Sequence, residues 1–106
     1  MNGNLENIGL YIKKIRTEKE LTLHQVAVGT DIDATIISKI ERGGRIPTNE
    51  QLNKIANFFE IPIELLKQKT IAEKIIKEYG INETTFNAIQ LVNEQFVEYK
   101  KQNKNE

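Results

Sequence analysis

Reactive chemistry has few places to reside in this sequence. It holds no cysteine and one histidine, His24, which excludes disulfides, thiolate metal sites, His-based metal clusters and a nucleophile–base triad. His24 reads as a solvent-facing residue or the neighbour of a phosphate. Asp31 and Asp33 lie two apart, a spacing that invites a general acid–base reading. A turn former followed by a helix N-cap explains both. Gly43 and Gly44 are too short a run to cradle a phosphate, and a helix stop accounts for them. Lys13 with Lys14 and Lys100 with Lys101 read as solvated faces. No catalytic arrangement remains, so the chain reads as a non-enzyme with no metal or cofactor.

What is left is recognition. Ala34, Thr35, Ser38 and Lys39 share one side of a short amphipathic stretch, with Arg42 beyond them. Small side chains let a helix backbone come close to base edges, and a lysine one turn further on reaches a guanine edge or a phosphate. The major groove is about 12 Å wide and accepts one helix, whose first residues meet the bases. Apolar Ile36 on the flank of that face has two readings: partly buried, or against thymine methyl groups.

The elements that must hold this face are helical throughout. Apolar residues recur at helical spacing in every segment, and strand-like alternation is absent, so the chain is all-α. Asn7 caps a helix over 8–19 with Ile8, Ile12 and Ile15 inward. Thr22 opens a second helix, and Gln25 three residues later completes a capping box. Leu23, Val26 and Ala27 are its apolar contacts. The second helix stops near Gly29 and Thr30, and Asp31 suits a left-handed turn. Asp33 caps a third helix over 34–42, with Ile37 and Ile40 inward and Ile32 wedged beneath the turn. Thr48 and Gln51 repeat the capping box before a fourth helix carrying Leu52, Ile55, Ala56 and Phe59. Pro62 opens a short fifth helix through Leu66. Beyond Lys67 the spacing predicts a separate helix over 70–79, stopped by Gly80, and a last one over 82–102. The polar end, 100–106, is expected to fray.

Composition sets the outer bounds. At 106 residues, 39% of them hydrophobic and 28% charged, the chain suits one compact domain with a short appendage. No apolar run approaches the roughly 20 residues needed to span a bilayer, and the start lacks a basic-then-apolar signal pattern. A cytoplasmic location without membrane contact is the expectation. Fifteen Lys and Arg balance fifteen Asp and Glu, so any affinity for nucleic acid must come from a local cluster of cations.

Read together, the stretch LTLHQVAVGTDIDATIISKIERGGRIPTNEQLNKIANFFEIPIELL resembles the phage-repressor-like helix-turn-helix family of the XRE or Cro/C1 type. The words that carry the likeness are LT..QVA, ISKIERG, the R.P[ST] step and LNKIANFFEIP. With the first helix they span residues 8–66, the family's whole five-helix, lambda-repressor-like domain. The resemblance implies a DNA-binding domain over 1–67 and one or two further helices over 68–106. It implies that the third helix reads bases through Ala34, Thr35, Ser38 and Lys39. By the same likeness Arg42 and Arg45 touch the DNA backbone, and the start of the second helix, with Thr22, His24 and Gln25, approaches a phosphate. Arg16 and Glu41 correspond to a structural ion pair between the first and third helices. Leu23 departs from the family, where Gln at this position helps grip a phosphate. Asp31 stands where the family has a turn glycine, and Glu20 where glycine or asparagine is common.

Two questions stay open at this level. Phe86, Ile89, Val92, Phe96 and Tyr99 fall on one side of the last helix. They suit extra core for their own domain or a two-fold interface; the resemblance, whose members act as dimers, favours dimerisation. Such a dimer would place two reading helices about 34 Å apart on an inverted repeat of double-stranded DNA. Members of this size include controllers of restriction–modification operons, phage repressors and antitoxins, and no segment suggests a small-molecule effector. The rival reading is a protein-interaction module or antitoxin-like partner that keeps the fold with weak or no DNA binding. Its motive is charge: residues 1–66 hold eight cations and nine carboxylates, a net of −1.

Overall fold

The structure is a computed structural model that describes residues 7–103. Six α-helices follow in order: α1 (Ile8–Glu18), α2 (Leu23–Thr30), α3 (Ala34–Glu41), α4 (Asn49–Phe59), α5 (Ile63–Tyr79) and α6 (Glu83–Gln102). The described residues contain no strand, and none of their helices is long and apolar enough to cross a membrane.

Local chemistry fixes most helix starts. A helix leaves its first amides without intrahelical acceptors, and a polar side chain at the N-cap supplies one. Asn7 Oδ1 accepts from the Leu10 amide at 2.7 Å, and Asp33 Oδ1 from the Thr35 amide at 2.7 Å. Asn82 Oδ1 accepts from the Thr85 amide at 2.9 Å. At Thr22 and Thr48 the box closes reciprocally: each hydroxyl accepts from the N3 amide while the N3 glutamine accepts from the cap amide. Three helix ends turn through left-handed residues other than glycine, Glu20, Asp31 and Glu60, each with φ 58°.

Contacts divide the chain into two compact units, Met1–Lys74 and Ile75–Glu106. In the first, α3 packs against α1 and α2, and α2 against α4. Its core comprises Ile8, Ile12, Val26, Ile32, Ile37, Ile40, Leu52, Ile55, Ala56, Phe59 and Leu66. Ile36, one of the two-way residues, packs partly buried against this core. Gly9 lets α1 lie directly on the end of α3: a Cβ there would sit 1.8 Å from the Ile40 carbonyl oxygen and 3.1 Å from Glu41 Cα. Any side chain at position 9 would push the two helices apart, because both obstructing atoms are backbone.

The second unit comprises the last turn of α5, a short bend and α6. Gly80 takes φ +86°, and its amide closes on the Ile76 carbonyl at 2.8 Å. Asn82 Nδ2 and Thr85 Oγ1 both donate to the Tyr79 carbonyl at 3.0 Å, tying the bend. Thr85 is the buried residue of α6; Phe86, Ile89, Val92, Phe96 and Tyr99 are all exposed and none belongs to the core cluster.

Two expectations need correction. The predicted break between a short fifth helix and one starting at Thr70 does not occur, and α5 runs unbroken for 17 residues. Nothing between 67 and 70 interrupts a helix: no glycine or proline stands there. Thr70 is buried mid-helix, its hydroxyl donating back to the Leu66 carbonyl at 2.8 Å. Of the polar end expected to fray, Lys100, Lys101 and Gln102 are helical and Asn103 closes on the Tyr99 carbonyl. Residues 104–106 lie outside the described residues.

Candidate nucleic-acid interface

The turn between α2 and α3 is set by three consecutive residues. Asp31 takes the left-handed conformation that ends α2. Ile32 buries its side chain, and its amide donates to the Ala27 carbonyl at 3.3 Å. Asp33 then caps α3. Burying Ile37 and Ile40 fixes the rotation of α3. Thr35 and Lys39 are therefore exposed, while Ala34 and Ser38 are half-buried on the flanks of that face. The outward face is short in side chain for its first turn and cationic at its far end.

Arg42 caps the end of α3 and donates through Nη1 to Ser38 Oγ. Gly43, with φ +83°, turns the chain away, and the Gly43 and Gly44 amides close on the Ile40 and Lys39 carbonyls at 3.0 and 2.9 Å. Arg45 is exposed in the loop that follows. At the start of α2, Thr22, His24 and Gln25 are exposed. The capping box uses Gln25 Oε1 as acceptor, which leaves the amide Nε2 available for an acceptor outside the helix. Leu23 is partly buried against the core, so this helix start presents backbone amides and hydroxyls rather than a long polar side chain.

Neutral overall charge conceals a local imbalance. Among the described residues, no carboxylate pairs with Lys39, Arg42 or Arg45. Three carboxylates of this unit are turned to other cations. Lys54 lies 3.9 Å from Asp31 and 3.8 Å from Glu50 in an exposed arrangement. Glu41 is bound to Arg16 through two bonds, Nε to Oε2 at 2.7 Å and Nη2 to Oε1 at 3.0 Å. Arg16 Nη1 also donates to the Leu21 carbonyl at 2.8 Å. The side chains are 14% and 5% exposed. Hydrogen bonding to Glu41, aided by its charge and opposed by desolvation, holds the guanidinium pKa above its ordinary value. The pair joins α1 to the last turn of α3, where an isolated carboxylate would face the negative end of the helix dipole.

Two further contacts on α1 escape the sequence pattern. The Ile8 amide donates to Glu73 Oε1 of α5 at 2.8 Å, and Lys69 Nζ lies 4.5 Å over the Tyr11 ring. Leu66, Lys69, Thr70 and Glu73 recur at helical spacing, so the signal existed; a helix ended at Leu66 hides it.

Comparisons with known proteins agree with this geometry. A family model described as Helix-turn-helix matches residues 12–66. Over 66 residues the chain is 35% identical to the HTH-type transcriptional repressor RghR of Bacillus subtilis (strain 168), covering 61% of this chain. The match spans about half, 49%, of that relative's length. Over 75 residues it is 29% identical to the ImmF control region 10 kDa protein of Bacillus phage phi105, covering 71% of this chain and 81% of the phage protein. Among solved structures, a chain of the SinR protein/SinI protein complex superposes with a TM-score of 0.53 at 25% identity, covering 93% of this chain and 99% of that one. The matched family is a transcription-regulator type rather than an enzyme family, and its matched segment contains the turn, the outward face of α3 and the Arg16–Glu41 pair described above. The chain belongs to the XRE-type helix-turn-helix family of DNA-binding transcriptional regulators.

Proposed function

We propose that the protein is a sequence-specific, repressor-type regulator that binds an inverted-repeat operator as a cytoplasmic homodimer. The observation that carries this reading is the outward face of α3: Ala34, Thr35 and Ser38 short enough for close approach, followed by Lys39, Arg42 and Arg45, which pair with no carboxylate among the described residues. Phosphate contacts set the register without carrying sequence information, and base-edge contacts supply it. Arg42, Arg45 and the amide end of α2 with Thr22, His24 and Gln25 take the first role. Ala34, Thr35, Ser38 and Lys39 take the second. Ser38, engaged by Arg42, keeps its own hydroxyl hydrogen for a base acceptor. The C-terminal part, 68–106, serves dimerisation through Phe86, Ile89, Val92, Phe96 and Tyr99, whose exposure in the single chain supports that use.

Selection of bound duplexes from a random library at two salt concentrations tests the reading. The expected outcome is an enriched palindrome whose affinity drops steeply with salt, by about 0.9 logarithmic units per tenfold salt for each phosphate contacted. Featureless, weak binding without enrichment would overturn it. Within that operator, Lys39→Ala is expected to cost about 1–3 kcal/mol and to relax preference at one base pair. Equal loss on operator and random duplexes would assign Lys39 to a phosphate instead.

A second reading rests on the superposed chain, which was solved in a complex of the SinR and SinI proteins. The apolar face of α6 suits a protein partner as well as a second copy. In that reading DNA binding is weak or absent and the face of α6 carries the function.

A further inference from the structure

Along α6, Ile89, Val92, Phe96 and Tyr99 are spaced three, four and three residues apart, the seam of a two-helix coil. All four are exposed. Thr85, the next position back, is buried within its own unit and bonded to the Tyr79 carbonyl, so the seam starts at Ile89. The seam is uneven, aliphatic in its first half and aromatic in its second. A second exposed row, Phe86, Asn93 and Lys100, runs along its edge at intervals of seven. Glu83 stands in the first turn of the helix and Lys100 in the last.

These features decide which way a second copy can lie. A parallel pair sets each seam residue against its own copy. Two thin layers, Ile89 and Val92, would then precede two thick ones, Phe96 and Tyr99, and straight helices cannot pack both at native density. Asn93 would face the Ala88 methyl, which offers it no hydrogen bond. Two Lys100 ammoniums would gather at one end and two Glu83 carboxylates at the other. Reversed, each aromatic meets an aliphatic: Phe96 against Val92 of the second copy, Tyr99 against its Ile89. Asn93 then lies at the two-fold, its amide donating to and accepting from its own copy. Lys100 falls over the Phe86 ring of the second copy and within a turn of its Glu83, both surroundings that favour a cation.

We propose that α6 pairs with α6 of a second copy in antiparallel register, centred on Asn93 and Glu94. The inference rests on the homodimer proposed above and adds how its two chains are joined. The face is complementary to its own reverse in size, polarity and charge, which is the argument for a second copy over a foreign protein.

The chain has no cysteine, so the full-length variants Asn87→Cys, Glu94→Cys and Lys101→Cys each take one nitroxide per copy. The three sites lie seven residues apart on the side of α6 away from the seam. Across a pair of helices they share one lateral separation, about 20 Å or two helix diameters. In the antiparallel pair, seven residues from the centre add an axial offset of about 21 Å. Dipolar distance measurement is therefore expected to give values at Asn87→Cys and Lys101→Cys roughly 9 Å longer than at Glu94→Cys. Three equal distances in a dimer mean parallel helices and overturn the proposal while leaving the dimeric regulator standing. Dimers with every distance beyond about 40 Å, some four helix diameters, put the contact elsewhere and overturn it too. Monomers by sedimentation, with no dipolar coupling at any site, overturn the homodimer and this pairing together. Because no duplex enters the experiment, the expected distance pattern stands even if no operator is selected, an outcome that defeats the DNA-binding reading alone.

Discussion

Replacing Arg16 by alanine is expected to lower the unfolding free energy by about 3–5 kcal/mol, the usual cost of removing one partner of a buried pair. The magnitude follows from what is left behind. Glu41 has a side chain 5% exposed and sits in the last turn of α3, where the helix dipole repels a carboxylate. Three donor–acceptor contacts disappear at once, two to Glu41 and one to the Leu21 carbonyl. Lysine cannot replace the two-pronged geometry, so Arg16→Lys should recover only part of the loss. Arg16→Met/Glu41→Leu should recover most of it, since a matched apolar pair carries no desolvation penalty. Urea unfolding followed by helical circular dichroism measures all three, and a loss under about 1 kcal/mol for the alanine variant would mean that Glu41 regains water at little cost. The raised Arg16 pKa fixes the pH behaviour. A cation stabilised in the folded state contributes fully below its unfolded value and is lost only as pH rises through its folded one. Both lie at or beyond the strongly alkaline range of an ordinary arginine, so this guanidinium gives no slope of stability between mildly acidic and mildly alkaline pH.

Ile89→Asp/Phe96→Asp is expected to leave a folded monomer and to weaken operator binding by about a hundredfold or more, the scale of lost bivalency. Ile89 and Phe96 are 42% and 60% exposed in the single chain and lie outside the core cluster, so two carboxylates there cost the fold little. Across a two-fold interface the same carboxylates would face an apolar surface and one another. Sedimentation of the variant and competition binding to the operator are read together. Monomers with retained half-site affinity support the proposed interface. A dimer of wild-type strength would remove α6 as its seat. Wild type that is monomeric and binds DNA poorly would favour the partner-protein reading instead.

The features legible in the sequence were those whose causes are local. Asn7 and Asp33 cap their helices because a short polar side chain reaches an amide two or three residues on, a range that a linear reading covers. The boxes at Thr22 with Gln25 and Thr48 with Gln51 are equally local. The left-handed turn at Asp31 follows from its place between two amphipathic runs. What escaped depends on distance along the chain. The apolar spacing starts a helix near Thr70, and only the burial of Thr70 beside Leu66 makes it an interior residue. Glu73 and Tyr11 meet their partners across more than fifty residues, and the spacing that puts Lys69 and Glu73 on one face with Leu66 is hidden once a helix is ended at Leu66. The Arg42 to Ser38 bond is local yet was missed, since both residues read first as contacts for DNA. Charge misled in the other direction: the neutral total hides that Glu41, Asp31 and Glu50 face Arg16 and Lys54, away from the outer cations of α3.

The left-handed helix ends at Glu20, Asp31 and Glu60 have a bearing on how this protein can change. Each places a side chain where glycine is favoured by up to about 1 kcal/mol, and each sets a carboxylate near the negative end of a helix. The fold therefore operates below the stability its own architecture permits, by an amount near that of one or two ordinary point substitutions. A lineage that acquires glycine at these three sites gains room for variation elsewhere. On the proposed function, the outer face of α3 is the surface that would use it, because new residues at Ala34, Thr35, Ser38 and Lys39 would alter the DNA sequence preferred. Divergence of operator preference and the chemistry of three remote turns are in this sense one evolutionary variable.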